Sequence, residues 1–194
     1  MKEPLSFHKK LVHCMYVFRI ALIGDGAVGK TAIRRRYMGE GFTVNYQATI
    51  GADFSIKKIL LDEIEVQFQI WDLAGQPLYN SVRKTYYNGC MGGLAVYDCS
   101  RRSTYDNILN WTNELWTHCG RGKIPVVLLG NKSDLMSQNS SPVILTEGEE
   151  LAKQISFQTQ LSEFPVHFFP SSAKTGQNIE IAFNCLGKAI LDFF

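Results

Sequence analysis

The apolar positions fall into short runs separated by stretches of helical spacing. Residues 16–23 (YVFRIALI), 93–98 (GLAVYD) and 125–130 (PVVLLG) are mostly apolar and rich in Val, Ile and Leu. Such runs suit strands covered on both faces, as in a parallel sheet. Residues 64–71 (IEVQFQIW) differ. Ile64, Val66, Phe68 and Ile70 alternate with Glu65, Gln67 and Gln69, so one face meets water. With 53–61 (DFSIKKILL) and a turn at Asp62-Glu63, this predicts an antiparallel hairpin at the sheet edge. Helices fill the gaps. Ser103 with Asp106 reads as one helix start, and Thr146 with Glu149 as a capping box opening another. The last helix carries Ile179, Phe183, Leu186, Ile190 and Phe193 as a single apolar stripe for packing on the sheet. Alternating strand and helix predict a doubly wound α/β fold, whose ligands bind at the carboxyl ends of the strands.

A chain of 194 residues has room for one domain and little more. It divides into a flexible N-terminal leader, 1–15, and a single domain, 16–194. Apolar residues at 45% and charged residues at 20% exclude disorder and collagen-like structure. Twenty basic against eighteen acidic side chains leave a net +2, which gives no electrostatic footprint for nucleic acid. Cys14, Cys90, Cys99, Cys119 and Cys185 include no CxxC pair, against a disulfide framework or a zinc site. His13 and Arg19 interrupt the first apolar stretch, so it makes a poor signal peptide. Lys2 excludes N-myristoylation, and the final LDFF offers no cysteine to prenylate. These features read as a cytoplasmic monomer whose membrane association stays open.

Three motifs carry chemistry. Directly after the first strand comes Gly24-Asp25-Gly26-Ala27-Val28-Gly29-Lys30-Thr31, the GxxxxGK[ST] pattern, leading into a helix through Ala32. Its glycines let successive N–H groups point inward at phosphate oxygens, and the helix adds its positive end. Lys30 suits the β- and γ-phosphates, and the Thr31 hydroxyl suits Mg²⁺. Next, Trp71-Asp72-Leu73-Ala74-Gly75-Gln76 places Asp72 at a strand end, able to hold Mg²⁺ through a water. Gly75 there offers a bare N–H to a γ-phosphate, and the Gln76 amide can position an attacking water. Finally, Asn131-Lys132-Ser133-Asp134 follows the buried run PVVLLG. The Asp134 carboxylate can accept from the ring N–H and 2-amino group of guanine, a pairing that adenine cannot make. The Lys132 stem can lie along the base, and Asn131 can tie this loop to the phosphate loop.

With these motifs in order over about residues 16–191, the chain resembles a Ras-superfamily small GTPase, most like the Rab branch. The likeness to Rab proteins rests on YQATIGADF, WDLAGQ and SAKTGQNIEIAF. It implies a P-loop G domain: a mostly parallel six-stranded sheet with one antiparallel edge strand and helices on both faces. It implies GTP/GDP and Mg²⁺ as ligands, with Thr49 on the metal and γ-phosphate. It places Phe42 against the guanine face opposite Lys132, Tyr46 at the nucleotide, and Ser172-Ala173-Lys174 on the base oxygen through backbone N–H groups. Gln76, Lys30 and Thr49 become the catalytic set, and Phe54, Trp71 and Tyr79 an aromatic patch read by effectors. Effector, exchange-factor and GTPase-activating proteins are the implied partners. Two other readings use the same loop: an ATP-dependent P-loop kinase and a non-hydrolysing scaffold.

The chain departs from the family in places. Pro77 stands where a glutamate is usual, which pushes Gln76 toward extended backbone and suits the first position of a helix. Leu73 replaces a threonine. Arg34, Arg35 and Arg36 are expected to face solvent or acidic neighbours. About ten extra residues fall near 136–143 and 157–165.

Overall fold

The computed structural model describes residues 15–43, 48–136, 143–159 and 165–194. The leader, Tyr46 and most of the two stretches of extra length lie outside these. Strands β1 (Tyr16–Ile23), β2 (Ala52–Leu61), β3 (Ile64–Leu73), β4 (Gly92–Asp98), β5 (Val126–Asn131) and β6 (His167–Pro170) alternate with helices. The helices are α1 (Lys30–Tyr37), α2 (Asn80–Tyr87), α3 (Arg102–Asp106), α4 (Ile108–His118), α5 (Leu145–Thr159) and α6 (Ile179–Phe193).

The six strands form one sheet in the order β2-β3-β1-β4-β5-β6. Every neighbouring pair is parallel except β2 with β3. The hairpin turns where expected, with Leu61 opposite Ile64 and both Asp62 (φ 45°) and Glu63 (φ 71°) in the left-handed region. Two consecutive residues of positive φ make the turn whose twist matches the flanking strands. All residues of β4 and β5 are buried, which explains their unbroken apolar runs.

Helices α1 and α6 cover one face, burying Ile33, Tyr37, Phe183, Leu186 and Ile190 against Phe68, Ile70 and Leu94. The rings of Tyr37 and Phe183 stack with centroids 3.6 Å apart. The α6 stripe is that expected, with Phe193 half-exposed at its end. On the other face α4 and α5 bury Trp111, Leu115, Trp116, Leu151 and Ile155 against Ala21, Ala95 and Leu128.

Two helix starts differ from expectation. The α3 segment begins at Arg102, and Asp106 pairs with Arg102 one turn back (3.1 Å) instead of capping. The cap of α5 is two residues earlier than Thr146–Glu149: Ile144 N–H donates to Glu147 Oε2 (3.0 Å). Glu147 also accepts from Arg102 of α3 (2.5 Å), and that tertiary pair draws the helix start toward it. Register places Leu22 beside Asp72 and Asp98 beside Asn131, so the chemistry-bearing loops all leave the sheet at its carboxyl edge.

Candidate nucleotide site

The phosphate loop is held from outside. Side chains donate to four of its backbone carbonyls. Lys30 Nζ donates to Gly24 O (2.6 Å) and Asp25 O (2.8 Å), Arg101 Nη2 to Gly26 O (2.8 Å), and Asn131 Nδ2 to Val28 O (2.8 Å). Gly29 caps α1 in the left-handed region (φ 102°), where a Cβ would lie 2.3 Å from Asn131 Nδ2. Only glycine fits that junction. The Asp25 carboxylate accepts from Trp111 Nε1 (2.7 Å) and Asn107 Nδ2 (2.9 Å), so it ties the loop to α4 and leaves ligand contact to its backbone. Burial lowers the Lys30 ammonium to about 8, against the pull of Asp72 and Asp25. A phosphate anion would restore the proton's hold.

At the metal side the Thr31 and Thr49 hydroxyls meet at 2.8 Å. Asp72 is fully buried, and among the described residues neither carboxylate oxygen has a hydrogen-bond partner within 3.5 Å. Burial raises its pKa, against the Thr31 hydroxyl and the charges of Lys30 and Arg34. Two hydroxyls and a carboxylate whose oxygens accept no hydrogen bond from the described residues are the hard oxygen donors that Mg²⁺ takes alongside water and phosphate, so these residues fit that ion. Arg34 is buried rather than solvent-facing. Its guanidinium donates to Asp53 Oδ2 (2.7 Å) and Ser55 Oγ (2.5 Å) and lies 3.8 Å from Asp72 Oδ2. Asp53 and Asp72 are cross-strand partners, and the cation between them offsets their repulsion. Gly75 abuts the phosphate loop so closely that a Cβ would lie 2.5 Å from Gly26 N. Gln76 is extended (φ −77°, ψ 145°), with Pro77 opening a single 3-10 turn, Pro77–Tyr79. Its Oε1 is buried without a hydrogen-bond partner among the described residues.

At the base end Asn131, Lys132, Asp134 and Ser172 are bonded within the protein, while the neighbouring buried Ser171 Oγ has no hydrogen-bond partner among the described residues. Besides Val28, the Asn131 side chain accepts from Ala173 N–H (3.1 Å). Ser172 Oγ donates to Asp134 Oδ1 (2.6 Å), and Lys174 Nζ lies 4.0 Å from Asp134 Oδ2. Ser172 N–H donates to Gln177 O (3.2 Å). Two of the three N–H groups expected to face the base are thus engaged within the protein, and Ser172 acts through its hydroxyl on Asp134. Lys132 (φ 65°) donates to Asp98 Oδ2 (2.6 Å), and with Phe42 it lines the cleft that also holds Gly26, Thr31, Thr49 and Gln76.

Asp98 escaped the sequence reading. It is buried at the end of β4 and accepts from Lys132, Arg101 Nε (3.1 Å), Ser100 N–H (2.9 Å) and Ser100 Oγ (2.6 Å). Burial opposes its ionisation, yet the bonds from Lys132 and Ser100 hold its pKa below the usual carboxylate range. Its partners lie 2, 3 and 34 residues away, and only the fold brings Lys132 to it. Arg83 was also missed. Buried in α2, it takes Glu114 of α4 in a two-pronged pair (2.7 and 3.1 Å) and Ala74 O (3.0 Å), over the Trp111 ring.

Of the expected aromatic patch, Phe54 and Trp71 pack together (centroids 4.9 Å). The third ring is Tyr86 of α2, 5.0 Å from Trp71. Tyr79 sits in the 3-10 turn before α2. Arg19 lies over Trp71 and donates to Tyr86 O (3.0 Å), fixing the cluster from beneath.

Residues 19–192 match the family model described as the Ras family. The chain is 40% identical to Ras-related protein RABA4a of Arabidopsis thaliana over 87% of its own length and 70% of that protein's. It is 37% identical to Ras-related protein RABE1e of the same plant, over 90% and 75% of the two lengths. It is 38% identical to Ras-related protein Rab11A of Lotus japonicus, over 87% and 69%.

Proposed function

Because the chain belongs to the Ras family and is a Rab-like small GTPase, we propose that it is a GTP/GDP switch with slow hydrolysis of its own. The observation that carries the reading is the Asn131 side chain, bonded at once to Val28 O of the phosphate loop and Ala173 N–H of the base-side loop. It ties the phosphate loop directly to the base-side loop, so that the two subsites are held together.

In this reading the inward N–H groups of Gly24–Thr31 and the Lys30 ammonium bind the phosphates. Thr31, Thr49 and, through water, Asp72 hold Mg²⁺, which neutralises charge developing on the phosphate oxygens. Gln76 positions the attacking water, its Oε1 accepting a hydrogen bond from that water, whose proton passes to the phosphate oxygens. Gly75 N–H and Thr49 grip the γ-phosphate and release it after hydrolysis, loosening segments 42–51 and 72–90. Asp134 selects guanine. Phe54 and Trp71, joined by Tyr86, present the state to effectors, and exchange-factor and GTPase-activating proteins act at the same segments. The cellular role is Rab-like, regulation of membrane processes within the cell. Among the described residues no helix is long and apolar enough to cross a membrane.

The test is competitive. Protein stripped of nucleotide and offered equal GTP and ATP should retain GTP. It should then release phosphate in a single turnover at a rate on the order of 10⁻⁴ to 10⁻² s⁻¹. Preference for ATP would favour a kinase; binding without phosphate release would favour a scaffold. Thr31→Asn should weaken GTP roughly tenfold to a hundredfold more than GDP, because the γ-phosphate depends on the metal. Equal losses, measured by nucleotide displacement, would remove Thr31 from the metal site.

A further inference from the structure

We propose that Arg101 is a positioning residue for the phosphates, acting through the peptide between Gly26 and Ala27. The proposal rests on the nucleotide reading above. In that reading the loop's N–H groups serve the phosphates, and four of its carbonyls have side-chain donors: Lys30 at Gly24 and Asp25, Arg101 at Gly26 and Asn131 at Val28. Lys30 and Asn131 belong to the nucleotide motifs. Arg101 does not: it lies 75 residues from Gly26, just before α3.

The Gly26 carbonyl and the Ala27 N–H are the two ends of one peptide unit. A guanidinium donating to that oxygen at 2.8 Å draws electron density from the nitrogen and makes the N–H a stronger donor on the cavity side. It also holds the peptide plane. Ala27 adopts φ 63°, the left-handed region that disfavours a side chain, so this peptide needs a constraint from outside. Arg101 is itself anchored: its Nε donates to the buried Asp98 carboxylate at 3.1 Å, which also holds Lys132. The guanidinium thus spans Asp98 and the loop with two separate N–H groups, a geometry that lysine reproduces only in part.

The effect belongs to the phosphate end. Arg101→Met should weaken GDP about fivefold to tenfold, the loss of one charge-assisted hydrogen bond at a partly exposed side chain. GMP, which carries a single phosphate, should bind nearly as before. Both are measured by displacement of a fluorescent GDP. The ³¹P resonance of the β-phosphorus of bound GDP should shift in the variant, and Arg101→Lys should recover part of both effects. Equal losses for GMP and GDP would mean that Arg101 merely props up Asp98 and the base end, and would overturn the proposal. So would an unchanged GDP affinity or an unmoved ³¹P resonance. If the unaltered chain fails to hold GDP, the functional reading itself falls and this inference with it.

Discussion

The two ends of the cleft are built differently. At the base end Asn131, Lys132, Asp134 and Ser172 each have partners within the protein at 2.6–3.1 Å. At the phosphate and metal end both oxygens of Asp72, which has the Arg34 guanidinium 3.8 Å away, and the Oε1 of Gln76 are buried without a hydrogen bond among the described residues. A buried polar atom without a partner costs about 1–3 kcal/mol. Such a cost persists where the ligand supplies the missing bonds. Recognition of the base is therefore pre-organised, with side chains already ordered before binding. The hydrolytic end is completed only by water, metal and phosphate, which is what allows it to differ between the triphosphate and diphosphate states.

Replacing Asp134 is the severest way to break this contrast. Asp134→Asn should cost roughly 10⁴-fold in GDP affinity, since the amide meets the guanine donors with a donor of its own. Xanthosine diphosphate, with a 2-oxo group in place of the amine, should recover most of the loss in a displacement assay. A guanine preference that survives would show that the base end is not selected by this carboxylate.

Gln76→Leu attacks the other end. Hydrolysis should slow roughly 100-fold, the scale of a lost acid–base or water-positioning group. GDP affinity should stay within about twofold, because no base-end bond involves Gln76. Phosphate release in a single turnover separates the two quantities. A large loss of GDP affinity would mean that the two ends are not independent.

This division also explains what could be read in advance. The P-loop, Asp72–Gln76 and Asn131–Asp134 are contiguous, and each lies where a strand ends, so local spacing reveals them. The extended backbone at Gln76 follows from Pro77 alone. Tyr86 was passed over for Tyr79 because only the phase of α2 against Trp71 distinguishes them. Arg34 meets acidic neighbours, one of the two surroundings expected for it, but that these are Asp53 and Asp72 follows only from hairpin register. Arg83 with Glu114, and Arg101 with Gly26, join positions 31 and 75 apart, beyond any periodicity. Strand β6 spans four residues, too few for a pattern to declare itself.

The smallest expected effect sharpens the comparison most. Asp98 stands between the ends: its Oδ2 accepts from Lys132 on the base side and from Arg101 on the loop side. Asp98→Asn keeps the shape but removes the charge that both cations share. Lys132 and Arg101 are each partly exposed, so solvent recovers part of what is lost. Affinity for GDP should fall about tenfold. Because Lys132 serves every guanine nucleotide, GMP should weaken as well. That distinguishes the variant from Arg101→Met, whose effect is confined to the longer phosphate chain. Were Asp98→Asn to weaken GDP and leave GMP untouched, Lys132 would be oriented without its carboxylate, and Asp98 would belong to the phosphate end alone.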